Sequence, residues 1–65
     1  MSSIAKNIKR LRKAKKLSQE RLARLANVAN NTIIKIEAGK NRNPTLDTIK
    51  KISRVFNISV DELIK

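Results

Sequence analysis

The stretch Ser18-Gln19-Glu20-Arg21-Leu22-Ala23-Arg24-Leu25-Ala26-Asn27-Val28-Ala29-Asn30-Asn31-Thr32-Ile33-Ile34-Lys35-Ile36-Glu37 decides how this chain folds. It reads as two short helices on either side of a tight corner. Ser18 has the side chain of an N-cap, a hydroxyl that accepts from the free N–H groups of the first turn, and Glu20 places negative charge where the helix dipole favours it. Leu22, Leu25 and Ala26 follow at the three-and-four spacing of one apolar stripe, with Arg21 and Arg24 on the other face, so a helix here turns the stripe toward a core. Asn27 tolerates left-handed backbone angles, which lets the chain turn, and Val28 supplies an apolar plug beneath the corner. In the second helix Ile33 and Ile36 recur on one face. Asn30, Asn31, Ile34 and Lys35 point elsewhere and leave amides and an amine on an exposed surface.

Working outward, Ser2 or Ser3 can cap a first helix running to about Ala14, with Ile4, Ile8 and Leu11 inward. Seven basic residues lie between Lys6 and Lys16, and for most of them a solvated helix face is sufficient explanation. On the other side Ala38-Gly39 closes the third helix, since glycine takes a left-handed C-cap without strain. Lys40-Asn41-Arg42-Asn43-Pro44 is then a loop, short, basic and rich in donors. Thr45 caps a fourth helix through about Phe56, with Leu46, Ile49, Ile52 and Phe56 inward and Lys50, Lys51 and Arg54 outward. Ser59-Val60-Asp61-Glu62 has the S-x-x-E form of a capping box and starts a short last helix whose Leu63 packs back on the others. The expectation is an all-α, compact five-helix bundle, one domain over residues 1–65, built on a central helix-turn-helix.

Composition narrows the function. Sixty-five residues leave room for one small core. Cysteine and histidine are both absent, which excludes a disulfide framework, a zinc finger, a histidine-based catalytic site and cysteine redox chemistry. No nucleophile–base pair or glycine-rich phosphate loop is present, so the chain reads as no enzyme and calls for no cofactor or metal. No apolar run approaches the roughly 18 residues of a membrane span, and the start of the chain lacks the apolar block of a signal peptide; a cytoplasmic protein is expected. Sixteen Lys and Arg against five Asp and Glu give a formal charge of +11. An excess this large on so small a surface points to a polyanion, and nucleic acid leads. An anionic membrane is the other polyanion, but the basic first helix has a thin apolar stripe and no aromatic anchor.

The chain resembles the lambda-repressor-like DNA-binding domains of phage repressors, Cro proteins and the bacterial XRE regulators. The resemblance covers about residues 6 to 64. It rests on Leu17-Ser18-Gln19-Glu20, Leu22-Ala23, Ile33, Ile36-Glu37 followed by Gly39, Asn43-Pro44-Thr45-Leu46-Asp47-Thr48 and Val60-Asp61-Glu62-Leu63. It implies that the third helix enters the major groove of double-stranded DNA with Asn30, Asn31 and Thr32 near its start and Lys35 one turn later. Asparagine can hold adenine bidentately, lysine can donate to guanine and threonine can serve a base edge or a phosphate. Gln19 would bond a phosphate at the start of the second helix, and Lys40, Arg42 and Asn43 in the loop would lie against the sugar-phosphate backbone. The resemblance further implies an ion pair between Arg12 and Glu37 that ties the first helix to the third. Two positions depart from the family pattern. Ala29 stands where a small polar cap is usual, so capping falls to Asn30 or is lost. Ile34 stands where a polar residue is common; it either contacts a thymine methyl or is partly buried by the first or second helix.

Three functions fit these residues. The first is a sequence-specific transcriptional regulator, a repressor working as a homodimer, with Ile58, Val60 and Ile64 near the last helix as a dimer surface unless they close the monomer's own core. The second is an antitoxin that represses its own operon while holding a toxin, or the controller of a restriction-modification system. The third is a protein-interaction module without specific DNA binding.

Overall fold

A computed structural model describes residues 4–65 as five helices. They are α1 (Ile4–Ala14), α2 (Gln19–Ala26), α3 (Asn30–Glu37), α4 (Leu46–Phe56) and α5 (Val60–Ile64). The expected cap at Ser2 or Ser3 lies outside the described residues. The caps of α2, α4 and α5 form as the sequence indicates. Ser18 accepts from the Arg21 N–H, Thr45 from the Thr48 N–H, and Ser59 exchanges both bonds of a capping box with Glu62. Ala29 stands at the N-cap of α3 and offers no side-chain bond, so the cap is lost and does not pass to Asn30.

The helix ends share one device. Asn27 and Asn57 adopt φ 59° and 57°, and the next residue's N–H reaches back five positions, Val28 to the Ala23 carbonyl at 2.9 Å and Ile58 to the Ser53 carbonyl at 3.1 Å. Gly39 at φ 78° does the same for α3, with the Lys40 N–H on the Lys35 carbonyl at 2.9 Å. Lys16 ends α1 this way at φ 58°, against the preference of a side chain with Cβ.

The core is Ile4 and Ile8 of α1, Leu22, Ala23 and Ala26 of α2, Ile33 and Ile36 of α3, Ile52 and Phe56 of α4 and Leu63 of α5. Leu11, Leu17, Val28, Ile49, Val55 and Ile58 pack around it. α3 rests on α1 and α2, α4 bridges α2 and α5, and α5 returns to α1. There the Asn7 side chain donates to the carbonyls of Leu63 and Lys65 at 2.8 and 3.2 Å, closing the bundle end to end.

Two residues expected inward are not. Leu25 is 51% exposed, because α2 meets α3 and α4 together and its buried arc rotates onto Leu22, Ala23 and Ala26. Leu46 is 57% exposed. As the first residue of α4 it overhangs the bundle, and the inward positions are filled from Ile49 onward.

Candidate nucleic-acid interface

One buried ionic cluster sets the position of α3. Glu37, its last residue, has a side chain only 2% exposed. Arg12 meets it with both prongs of the guanidinium, Nε to Oε2 at 2.7 Å and Nη2 to Oε1 at 3.0 Å, and donates its third nitrogen to the Leu17 carbonyl at 2.7 Å. This fork is a bidentate, charge-assisted pair, and it holds the Arg12 pKa above its ordinary value, first through the hydrogen bonds the guanidinium donates to the Glu37 carboxylate. The ion pair implied by the resemblance is thus present, and it joins α1, the turn after it and α3 at one point.

Gln19 adds a member that the sequence had not placed there. Its amide nitrogen donates to Glu37 Oε1 at 3.1 Å, so α2 enters the same cluster. A carboxamide carries two N–H donors. The second has no partner among the described residues, and the side chain is half-buried at the first position of α2.

The outward face of α3 carries Asn30, Asn31, Ile34 and Lys35, all exposed, with Thr32 half-buried at its margin. Helical geometry stacks them in two rows, Asn30 below Ile34 and Asn31 below Lys35. Ile34 is partly covered by the bundle and 39% exposed, which leaves apolar surface on this face. Lys40, Arg42 and Asn43 follow in the exposed loop between α3 and α4. The start of that loop is tied to α3, where the Lys40 and Asn41 N–H groups share the Lys35 carbonyl, and within the loop the Asn43 N–H donates to Asn41 Oδ1 at 3.2 Å. A rigid helix face bearing amides and an amine can read base edges, and a pinned basic loop beside it can grip a backbone. No helix among the described residues is long and apolar enough to cross a membrane.

A family model described as Helix-turn-helix matches residues 8–63. The structure is similar to the N-terminal DNA-binding domain of SinR from Bacillus subtilis, with 36% identity and a TM-score of 0.90 over 94% of this chain and 88% of that one. SinR has also been solved in complex with DNA. It is similar as well to the restriction-modification controller protein C.AhdI from Aeromonas hydrophila, with 32% identity and a TM-score of 0.87 over 95% of this chain and 92% of that one. An uncharacterized HTH-type transcriptional regulator of Coxiella burnetii is 36% identical over 64 residues, which are 98% of this chain and 30% of that protein. With the Arg12–Glu37 brace, the capped α2 and the turn at Asn27 in place, and the family model running from α1 into α5, the chain belongs to the helix-turn-helix family of the lambda-repressor and XRE type.

Proposed function

We propose that this chain is the DNA-binding unit of a transcriptional regulator, a repressor that sits on a two-fold operator as a homodimer and reads the major groove with α3. The observation that carries the reading is the outward face with Asn30, Asn31 and Lys35 on a helix held at its far end by Arg12 and Glu37. Asn30 and Asn31 contact base edges, Lys35 a guanine or an adjacent phosphate, and Thr32 either one. Lys40, Arg42 and Asn43, with the free N–H of Gln19, grip the backbone and fix the register. The long dimension of the domain is 26 Å, so two copies side by side can enter successive major grooves about 34 Å apart. Ile64 is exposed and Ile58 and Val60 are half-buried, which supports the end of the bundle at α5 as the dimer surface. The working compartment on this reading is the cytoplasm, on the nucleoid.

A second reading, a restriction-modification controller or an antitoxin with a toxin partner, draws on the likeness to C.AhdI and uses the same interface. Selection of bound duplexes from a random pool tests the proposal. The expected result is one enriched motif with dyad symmetry and half-sites a helical turn apart. A motif without symmetry refutes the dimer, and binding without enrichment refutes sequence reading.

A further inference from the structure

Ile34 is the one large apolar side chain on the outward face of α3. It is 39% exposed, whereas its neighbours Ile33 and Ile36 are wholly buried. It lies one helical turn beyond Asn30 and next to Lys35, inside the row assigned above to base edges. A β-branched residue is a mediocre helix former, and a face that meets only water gains nothing from it. The major groove offers apolar chemistry at one kind of place, the 5-methyl group of thymine, since the other base edges present donors and acceptors.

We propose that Ile34 is a specificity-determining residue that packs on the 5-methyl group of one thymine in each half-site. The inference rests on the reading that α3 enters the major groove, and it adds a base that the amides do not choose. Asn30 and Asn31 discriminate by hydrogen bonds, while Ile34 discriminates by contact with a methyl that cytosine and both purines lack at that point. Covering one methyl group is worth about a fourfold change in affinity.

The test starts from the duplex that wild-type protein selects from a random pool. Each thymine is replaced in turn by deoxyuridine, which deletes the methyl and leaves base pairing and every hydrogen-bonding group of the groove in place. Dissociation constants are measured for wild type, Ile34→Ala and Ile34→Val, with thermal melting to verify that each variant is folded. At one thymine per half-site, uracil should weaken wild type about fourfold, and about fifteenfold when both half-sites are changed. The same replacement should leave Ile34→Ala unaffected, and Ile34→Val, which keeps a branched side chain, should retain most of the response. Equal uracil effects in wild type and Ile34→Ala overturn the proposal, as does a duplex in which no thymine responds. A pool that yields no enriched sequence overturns the reading of α3 itself and this inference with it.

Discussion

Arg12→Ala and Glu37→Ala perturb the buried Arg12–Glu37 ion pair, and the structure says that the two losses differ. Removing Arg12 leaves a carboxylate with a side chain 2% exposed and one remaining donor, the Gln19 amide. Stranding a buried charge costs roughly 3–5 kcal/mol, and the lower end applies because the Arg12 side chain is itself 13% exposed at the rim of the cluster. Removing Glu37 is milder, roughly 2 kcal/mol, since the guanidinium keeps the Leu17 carbonyl and can tilt toward water. For a domain of this length total stability is only about 3–10 kcal/mol, so Arg12→Ala melts far below wild type. The assay is a urea-denaturation cycle of the wild type, both single variants and the double variant. The double variant should fall short of the sum by about 1–3 kcal/mol. The arginine pKa is raised by folding, so its contribution is fully present below the ordinary arginine value and is lost only in stronger alkali. The coupling energy should therefore hold constant from about pH 7 to about pH 10. Additive losses, or a coupling that disappears within that window, would refute the account of the cluster.

Three further outcomes are expected. Arg42→Ala should weaken operator and scrambled DNA alike and lower the slope of log affinity against log salt by about one phosphate's worth, whereas Asn31→Ala should cost about 1–3 kcal/mol on the operator alone and relax one position per half-site; affinities for both duplexes at several salt concentrations check this, and equal losses for Asn31→Ala would place the reading face elsewhere. Gly39→Ala should destabilise by about 1–2 kcal/mol through its left-handed φ of 78° and not through a clash, because an added Cβ meets nothing within 4 Å; thermal melting should show Gly39→Asn losing less. Ile64→Lys should reduce the mass measured by sedimentation and operator affinity together while leaving the melting temperature nearly unchanged, and an unchanged mass would remove α5 from the dimer surface.

Local chemistry made most of the fold legible. Ser18, Asn27, Gly39, Thr45 and the Ser59–Glu62 box each act within a few residues of themselves, so the sequence carries both the group and its partner. What it does not carry is which arc of a helix its neighbours cover. Periodicity marked Leu22, Leu25 and Ala26 equally, and only the joint packing of α2 against α3 and α4 places Leu25 at the rim and Ala23 inside. Leu46 has the spacing of a core residue but sits at a helix end, where the stripe has run past the bundle. Asn7 on the end of α5 and Gln19 on Glu37 are likewise polar contacts between residues 56 and 18 positions apart, beyond the reach of any local pattern. Of the candidate site, the two rows of α3 were legible because an exposed helix face follows from its buried one.

The placement of the acids completes the electrostatic picture. The chain has five, Glu20, Glu37, Asp47, Asp61 and Glu62. Four of them lie in the first turns of α2, α4 and α5, where a carboxylate favours the helix dipole, and Asp47 also meets Lys51 at 3.2 Å. The fifth is neutralised by Arg12 within the bundle. None stands on the outward face of α3 or in the loop of residues 40–44. The formal +11 is thus distributed so that the surface proposed to meet DNA carries amides, Thr32, one isoleucine and cations and no carboxylate. Since exposed charges act over about a Debye length, a single carboxylate introduced there, as in Asn43→Asp, should repel every duplex regardless of sequence. The expected loss is larger at 50 mM salt than at 200 mM, read as a change of slope and not as a change of motif. A loss confined to the operator would mean that Asn43 reads a base and belongs with Asn31 instead of with Arg42.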